Sequence, residues 1–136
     1  MHIYLSTSKR FYPKVAETKS ALEAAGHHIT PPNGYNDAHA EAFIRQLDAK
    51  SYMTWKADML RRNSQVVAAH DAVLVLNFDW SGHGSYIGGA TFLEAFKAFE
   101  LGKKLYLYNA AAPGPLYDEI MGFDPTIIHG DLSLLN

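Results

Sequence analysis

The chain has 136 residues, of which 48% are hydrophobic and 19% are charged, and its formal net charge is −2. This composition predicts one globular domain over residues 1–136, with neither a basic surface for nucleic acid nor a polybasic membrane patch. Because there is no cysteine, disulfides, zinc–thiolate sites and thiol nucleophiles are excluded. No signal-like segment or membrane-length apolar run occurs, so we expect a soluble cytoplasmic protein.

The first predicted strand covers residues 2–6, and hydroxyl residues and two cations follow it at 6–10. This polar segment either binds an anion through N–H groups, hydroxyls and charge, or is a solvated turn. Pro13 suits the first position of a helix that ends at Gly26. A second short strand, residues 27–30, comes next and is closed by two prolines.

Residues 35–70 are helical in composition and predict two helices. Asn36 or Asp37 is the expected N-cap of the first helix, which runs to about Lys50, and Ser51 is the expected N-cap of the second. We expect this insert to pack on the sheet. The alternative is that so long an excursion covers a site or forms a dimer contact.

The stretch Asp71–Asn109 is the one around which the chain is organised. Residues 72–77 form a run that is apolar as far as Leu76, which predicts a strand buried on both faces. A Gly-rich loop follows, and a helix then runs from about Gly88 to Gly102, where it stops before a second buried strand. Three phenylalanines at core spacing are expected to pack this helix on the sheet. They are Phe92, Phe96 and Phe99.

The tail predicts a short helix at 116–121 and a last strand at 126–128. Because strands and helices alternate, the predicted fold is α/β: a single-domain, doubly wound sandwich of the Rossmann- or flavodoxin-like type with about five parallel strands. Ligands of such sheets bind at the carboxyl ends of the strands, so chemistry is expected at the Gly-rich loop and at the first turns of the next helix. Glu94 lies in those turns, where the helix dipole by itself favours a glutamate.

Two aromatic residues, Trp80 and Tyr86, flank the glycines of this loop. They either stack on a base or close the loop.

The seven histidines and fourteen carboxylates of the whole chain form no metal-binding motif. We therefore predict neither a metal nor a cofactor.

Five segments together carry a resemblance to a known family: Ile3–Ser6, Gly26–His27, Asp71–Val75, Gly89–Ala98 and Gly102–Lys104. They are similar to the nucleoside 2-deoxyribosyltransferase superfamily, which includes the deoxynucleoside-monophosphate N-glycosidases. The resemblance implies that Glu94 attacks the anomeric carbon of a 2-deoxyribosyl group and that Tyr4 orients it. It also implies a homodimer or larger homo-oligomer, because the family's sites are shared between subunits.

Cleavage of an N-glycosidic bond requires a carboxylate and contacts to the substrate, and the candidate residues can supply them. Breaking an N-glycosidic bond passes through an oxocarbenium-like state, which a carboxylate stabilises or captures while a proton donor helps the base to leave. The predicted function is cleavage or base exchange on a (deoxy)nucleoside or its monophosphate, with no nucleic acid or membrane as partner. The candidate contacts to the base, the phosphate or the ribose are Ser6, Ser8, Asn63, Asp79, Gly88, Gly89 and Thr91.

One position departs from the family's pattern. The family has an aspartate about eight residues before the strand aspartate, where it serves the leaving base, and this chain has Asn63 there. An asparagine hydrogen-bonds a base or hydroxyl but cannot deliver a proton as a carboxylic acid does. Asp58, Asp79 and His83 are the alternative donors, whereas Asp71 is expected to be structural.

Two other functions stay open. Gly88–Glu94 is also similar to the Gly-Gly-x-Gly-Thr-x-x-Glu phosphate-binding motif of the cytokinin-activating phosphoribohydrolases and their lysine-decarboxylase-like relatives. Here the second part of the motif lacks its glycine and is one residue short, so this interpretation ranks lower. The third hypothesis is a sensor or partner domain that binds a nucleotide without cleaving it. Asn63 favours this hypothesis, and Glu94 favours the enzymes.

Overall fold

A computed structural model describes all 136 residues, and one parallel β-sheet lies at its centre. The strands are β1 His2–Ser6, β2 His28–Thr30, β3 Ala72–Val75, β4 Lys104–Leu107 and β5 Thr126–Ile127. Their order is β2-β1-β3-β4-β5, with every neighbouring pair parallel. The predicted doubly wound α/β fold with about five parallel strands is therefore confirmed, in its flavodoxin-like order.

Helices cover both faces of this sheet. They are α1 Val15–Ala24, α2 Ala40–Arg45, α3 Ala49–Ala68, α4 Gly89–Glu100 and α5 Tyr117–Gly122. The core of one face joins α1 to β-strand side chains such as Leu74, whereas the core of the other face joins α3, α4 and α5 to Val73 and Val75. Side chains alternate along a strand, so the all-apolar β3 supplies both cores. No helix combines the length and the hydropathy that a membrane span requires.

The helix predicted to begin at Pro13 begins later. Residues Lys9–Lys14 form a 3-10 helix that contains Pro13, and α1 follows from Val15. The tight helix starts early because the side chain of Ser8 accepts a hydrogen bond from the backbone N–H of Arg10.

The helical insert also differs from its prediction. Asn36 and Asp37 lie in a short 3-10 turn, Tyr35–Asp37, and cap no long helix. The N-cap of α3 is Asp48, whose carboxylate accepts from the backbone N–H of Ser51 at 2.8 Å. Ser51 therefore lies in the first turn of α3, and the predicted first helix is reduced to α2.

The prediction for the aromatic face of α4 is wrong for Phe96 and Phe99, whereas half-buried Phe92 does pack against the core. The side chains that α4 buries are Thr91, Glu94, Ala95 and Ala98, which follow the three- and four-residue steps of one helix face. Phe96 and Phe99 are 39% and 48% exposed, and Phe92 is only partly buried. Small side chains let α4 lie close to the sheet, and the phenylalanines are turned toward solvent and toward Phe123 of the segment after α5.

Candidate functional site

A cavity of about 320 Å³ lies at the carboxyl end of β1. The segment after β1, the turn after β2, helix α3 and the beginning of α4 form its wall. Small-molecule sites have volumes of about 300–1,000 Å³. The sheet order reverses between β1 and β3, and ligands of open parallel sheets bind at such a point. This cavity is therefore the candidate functional site.

Glu94 is the buried carboxylate of this cavity, with only 5% of its surface exposed. The hydroxyl of Tyr4 donates to Oε2 at 2.5 Å, and the hydroxyl of Ser6 donates to Oε1 at 2.7 Å. No lysine, arginine or histidine forms an ion pair with it. Burial raises the pKa of Glu94 to about 7, although both hydroxyl hydrogen bonds act in the opposite direction.

The strand and helix geometry explains how these three side chains meet. Tyr4 and Ser6 are two residues apart on β1, so they point to the same face of the sheet, against α4. Glu94 is the sixth residue of α4 and lies in its second turn. The helix dipole acts mainly within the first turn, so it does not account for a glutamate at this position.

A second hydrogen bond holds the hydroxyl of Tyr4 in place. It accepts a hydrogen bond from the backbone N–H of Asn33, at 3.1 Å, in the turn after β2. Burial first, and then the charge of Glu94, raise the pKa of Tyr4 far above its ordinary value. Tyr4 therefore stays protonated and acts toward Glu94 as a hydrogen-bond donor.

An asparagine pair forms a neighbouring part of the wall. The side-chain amide of Asn33 donates to Oδ1 of Asn63 at 2.7 Å. Asn63 is only 9% exposed, and its own amide nitrogen has no acceptor within the protein. The pair therefore leaves an N–H donor of Asn63, a residue of the cavity wall, without a protein acceptor.

The rim of the cavity is mainly cationic. Its charged side chains besides Glu94 are Lys9, Arg10, Asp37, Glu41, Lys56 and Arg62. Glu41 forms ion pairs with Lys9 and with Arg45 of the same helix. Burial acts to raise the pKa of Glu41, but the charges of Lys56 and Lys9 and two hydrogen bonds hold it below its ordinary value. The guanidinium of Arg10 has no carboxylate partner and lies 3.9 Å above the ring of Trp80.

Most of the predicted site residues line this one cavity. They are Tyr4, Ser8, Asn63, Gly88, Gly89, Thr91 and Glu94. Thr91 is 3% exposed, and its hydroxyl has no protein partner. Ser6 lies behind the wall, where it holds Glu94, and the hydroxyl of Ser8 is occupied as a helix cap.

The structure does not bring Asp79 to the cavity. Its carboxylate accepts from the backbone N–H of Ser85 at 2.9 Å and so closes the Gly-rich loop. His83 bonds to Trp80 through the backbone in the same loop, and Asp58 is exposed beside Arg61. None of the three alternative proton donors therefore lines the site. Asp71 has the structural role predicted for it, because its carboxylate accepts from the backbone N–H of His2 at 2.8 Å.

Sequence reasoning missed several residues of the cavity. Asn33 belongs to a Pro-Pro-Asn-Gly segment, which predicts a turn and says nothing about which strand lies next to it. The pairing of β2 with β1 puts that turn against Tyr4. Tyr12 also lines the cavity, and burial, together with the charges of Glu94 and Glu41, raises its pKa to about 12.

The arrangement supports specific chemistry. A buried carboxylate with a pKa near neutrality acts as a nucleophile or as a general acid or base. The neighbouring hydroxyls and amide supply hydrogen bonds, and the rim attracts an anion.

No protein-family model matches the chain, and no curated protein is significantly similar to it. The chemistry of these side chains is therefore the basis on which the function is proposed.

Proposed function

We propose that this chain is a cytoplasmic enzyme that cleaves or exchanges the N-glycosidic bond of a (deoxy)nucleoside or its monophosphate. The observation that carries the proposal is Glu94, a buried carboxylate at the wall of a ligand-sized cavity with no cation to balance it. Burying such a charge costs free energy, and the fold gains nothing visible in return. Groups of this kind are concentrated at functional sites.

In the proposed reaction, a carboxylate oxygen of Glu94 attacks the anomeric carbon as the base departs. Tyr4 and Ser6 hold the two carboxylate oxygens, so the side chain keeps one orientation without a metal or a salt bridge. Water or a second base then takes the sugar from the ester that has formed. The ionised form of Glu94 is the attacking form, so the rate is expected to rise as the pH passes about 7.

The beginning of α4 is the proposed contact for a phosphate or a ribose hydroxyl. Backbone N–H groups at Gly88 and Gly89 are at the positive end of the helix. The hydroxyl of Thr91 lies in the same part of the wall without a protein partner. Arg10 supplies a positive charge that no carboxylate neutralises.

We also propose that the chain forms a homodimer or larger homo-oligomer through the exposed face of α4. Leu93, Phe96 and Phe99 are solvent-exposed on α4, at steps of three residues along one side of the helix. Exposed apolar surface of this kind usually marks an interface. A small cavity of about 140 Å³ between α3 and α4 connects this face to Glu94.

The test is a chromatographic assay for free base with deoxy- and ribonucleosides and their monophosphates, each with and without a second base. We expect Glu94→Ala to lower base release by at least about 100-fold. Glu17→Ala is the matched control, because Glu17 is also a helical glutamate but is exposed on α1. Base release that is equal in the wild type and Glu94→Ala would refute the proposal.

The non-catalytic candidate is a domain that binds a nucleotide without cleaving it, and the amide of Asn63 where a proton donor is expected favours it. Its signature is saturable binding of a nucleotide with no base released from any substrate. The phosphoribohydrolase candidate predicts that ribonucleoside monophosphates are the best substrates. The same panel of substrates separates all three.

A further inference from the structure

We infer that Asn63 restricts the reaction to bases that depart as anions, with uracil-type pyrimidines preferred over aminopurines. This inference rests on the proposed function and names its substrate class. The amide of Asn63 is the specificity-determining contact, and Asn33 is the residue that positions it.

A continuous series of hydrogen bonds joins Asn63 to the reacting carboxylate. Glu94 accepts from Tyr4, whose hydroxyl accepts from the backbone N–H of Asn33, whose side chain in turn donates to Oδ1 of Asn63. The oxygen of Asn63 is thereby occupied, which leaves its N–H groups for a ligand. Asn63 and Glu94 line the same cavity, so a sugar at Glu94 places its base within reach of this amide.

No other side chain of the cavity is suited to protonate the base at neutral pH. No histidine lines it. Glu41 is held ionised by Lys9 and Arg45, and Asp37 is exposed to solvent. The tyrosines are weak acids, and Glu94 itself must be ionised to attack.

The electron balance then determines which bases can leave. The bond between Glu94 and the anomeric carbon forms while the bond from that carbon to the base nitrogen breaks. The bonding pair moves onto the nitrogen and is delocalised onto the adjacent carbonyl oxygen. Asn63 donates to that oxygen, and the departed base takes its proton from water.

Uracil and thymine have a carbonyl beside the glycosidic nitrogen, and their anions are well delocalised. Adenine has no such carbonyl, and its departure is normally assisted by protonation of the ring. An amide that only donates hydrogen bonds therefore favours the first class and gives the second little help.

The test compares base release from 5-fluorouracil, uracil, thymine and adenine deoxyribosides, or their monophosphates if those bind better. We expect kcat/KM to rise with the acidity of the leaving base, by at least about 10-fold from thymine to 5-fluorouracil, and adenine release to be at least about 100-fold slower than uracil release. This comparison needs only the wild-type protein.

Variants then assign the effect to the amide. Asn63→Ala should slow uracil release by about 10- to 100-fold, and Asn33→Ala should weaken the preference by less. Asn63→Asp should raise the ratio of adenine release to uracil release as the pH falls, because a protonated carboxyl can act as an acid and the ratio cancels the titration of Glu94. Asn36→Ala, on an exposed turn, is the matched control and should change nothing.

The outcomes separate this inference from the function on which it rests. Glu94-dependent release that is indifferent to the acidity of the base, or fastest with adenine, would overturn the role of Asn63 and leave the proposed function intact. Absence of release from every substrate, or release that survives Glu94→Ala, would overturn both.

Discussion

Replacing Glu94 by glutamine tests the buried charge independently of any substrate. In the unfolded chain the carboxyl ionises near its ordinary pKa of 4.5, whereas in the folded protein its pKa is about 7. Between these values the folded state binds more protons than the unfolded state. Raising the pH through this window therefore lowers the free energy of unfolding of the wild type, and glutamine removes this contribution.

The expected size follows from the difference between the two pKa values. Full ionisation of Glu94 costs about 3 kcal/mol of stability, and between about pH 5 and about pH 8 the free energy of unfolding of the wild type should fall by about 2–3 kcal/mol. Glu94→Gln keeps an oxygen for Ser6 or Tyr4 but cannot ionise. The variant should therefore become more stable relative to the wild type as the pH rises.

Urea denaturation at several pH values, followed by circular dichroism, measures this difference directly. Subtracting the wild-type curve cancels the titration of the seven histidines, which both proteins share. Glu17→Gln, an exposed control, should show no such trend with pH. If the difference in unfolding free energy between Glu94→Gln and the wild type changes by less than about 0.5 kcal/mol from pH 5 to pH 8, the assignment of a raised pKa to this carboxyl is refuted.

Three further changes test other parts of the structure. Tyr4→Phe removes a donor that stabilises ionised Glu94, so the rise of base release with pH should move to higher pH; an unshifted profile would show that Tyr4 does not act on the carboxylate. Asn77→Ala should lower the urea-denaturation stability by about 2–4 kcal/mol, because fully buried Asn77 satisfies both the backbone N–H and the C=O of Asn109; a loss below about 0.5 kcal/mol would contradict this. Phe96→Glu should yield a folded monomer by sedimentation analysis, and an unchanged sedimentation coefficient would exclude this face as the interface.

The order of elements could be predicted from local pattern. Residues 72–76 are apolar without interruption, as is typical of a strand covered on both faces. Glycines also mark the bounds of the central helix, since Gly88 is its N-cap and Gly102 follows its end with a positive φ of 67°. These signals act over a few residues, and they place Glu94 near the carboxyl end of a strand.

The contacts of the site depend on distant parts of the chain. Glu94 meets residues 88 and 90 positions away, and Asn63 meets one 30 positions away. A sequence window contains none of these pairs, so Ser6 was predicted as a substrate contact although it holds the carboxylate. For the same reason the sequence places Asp79 in a site that its carboxylate does not enter.

The orientation of α4 was likewise decided by tertiary packing. The sequence offers two faces at helical spacing, an aromatic face with Phe96 and Phe99 and a small one with Ala95 and Ala98. Hydrophobicity favours burial of the aromatic face, but close packing beside α3 and the sheet requires the small one. The sequence alone thus determined the elements, their order and the candidate carboxylate. The tertiary structure alone decided what surrounds that carboxylate, because its partners approach it through sheet pairing and helix packing.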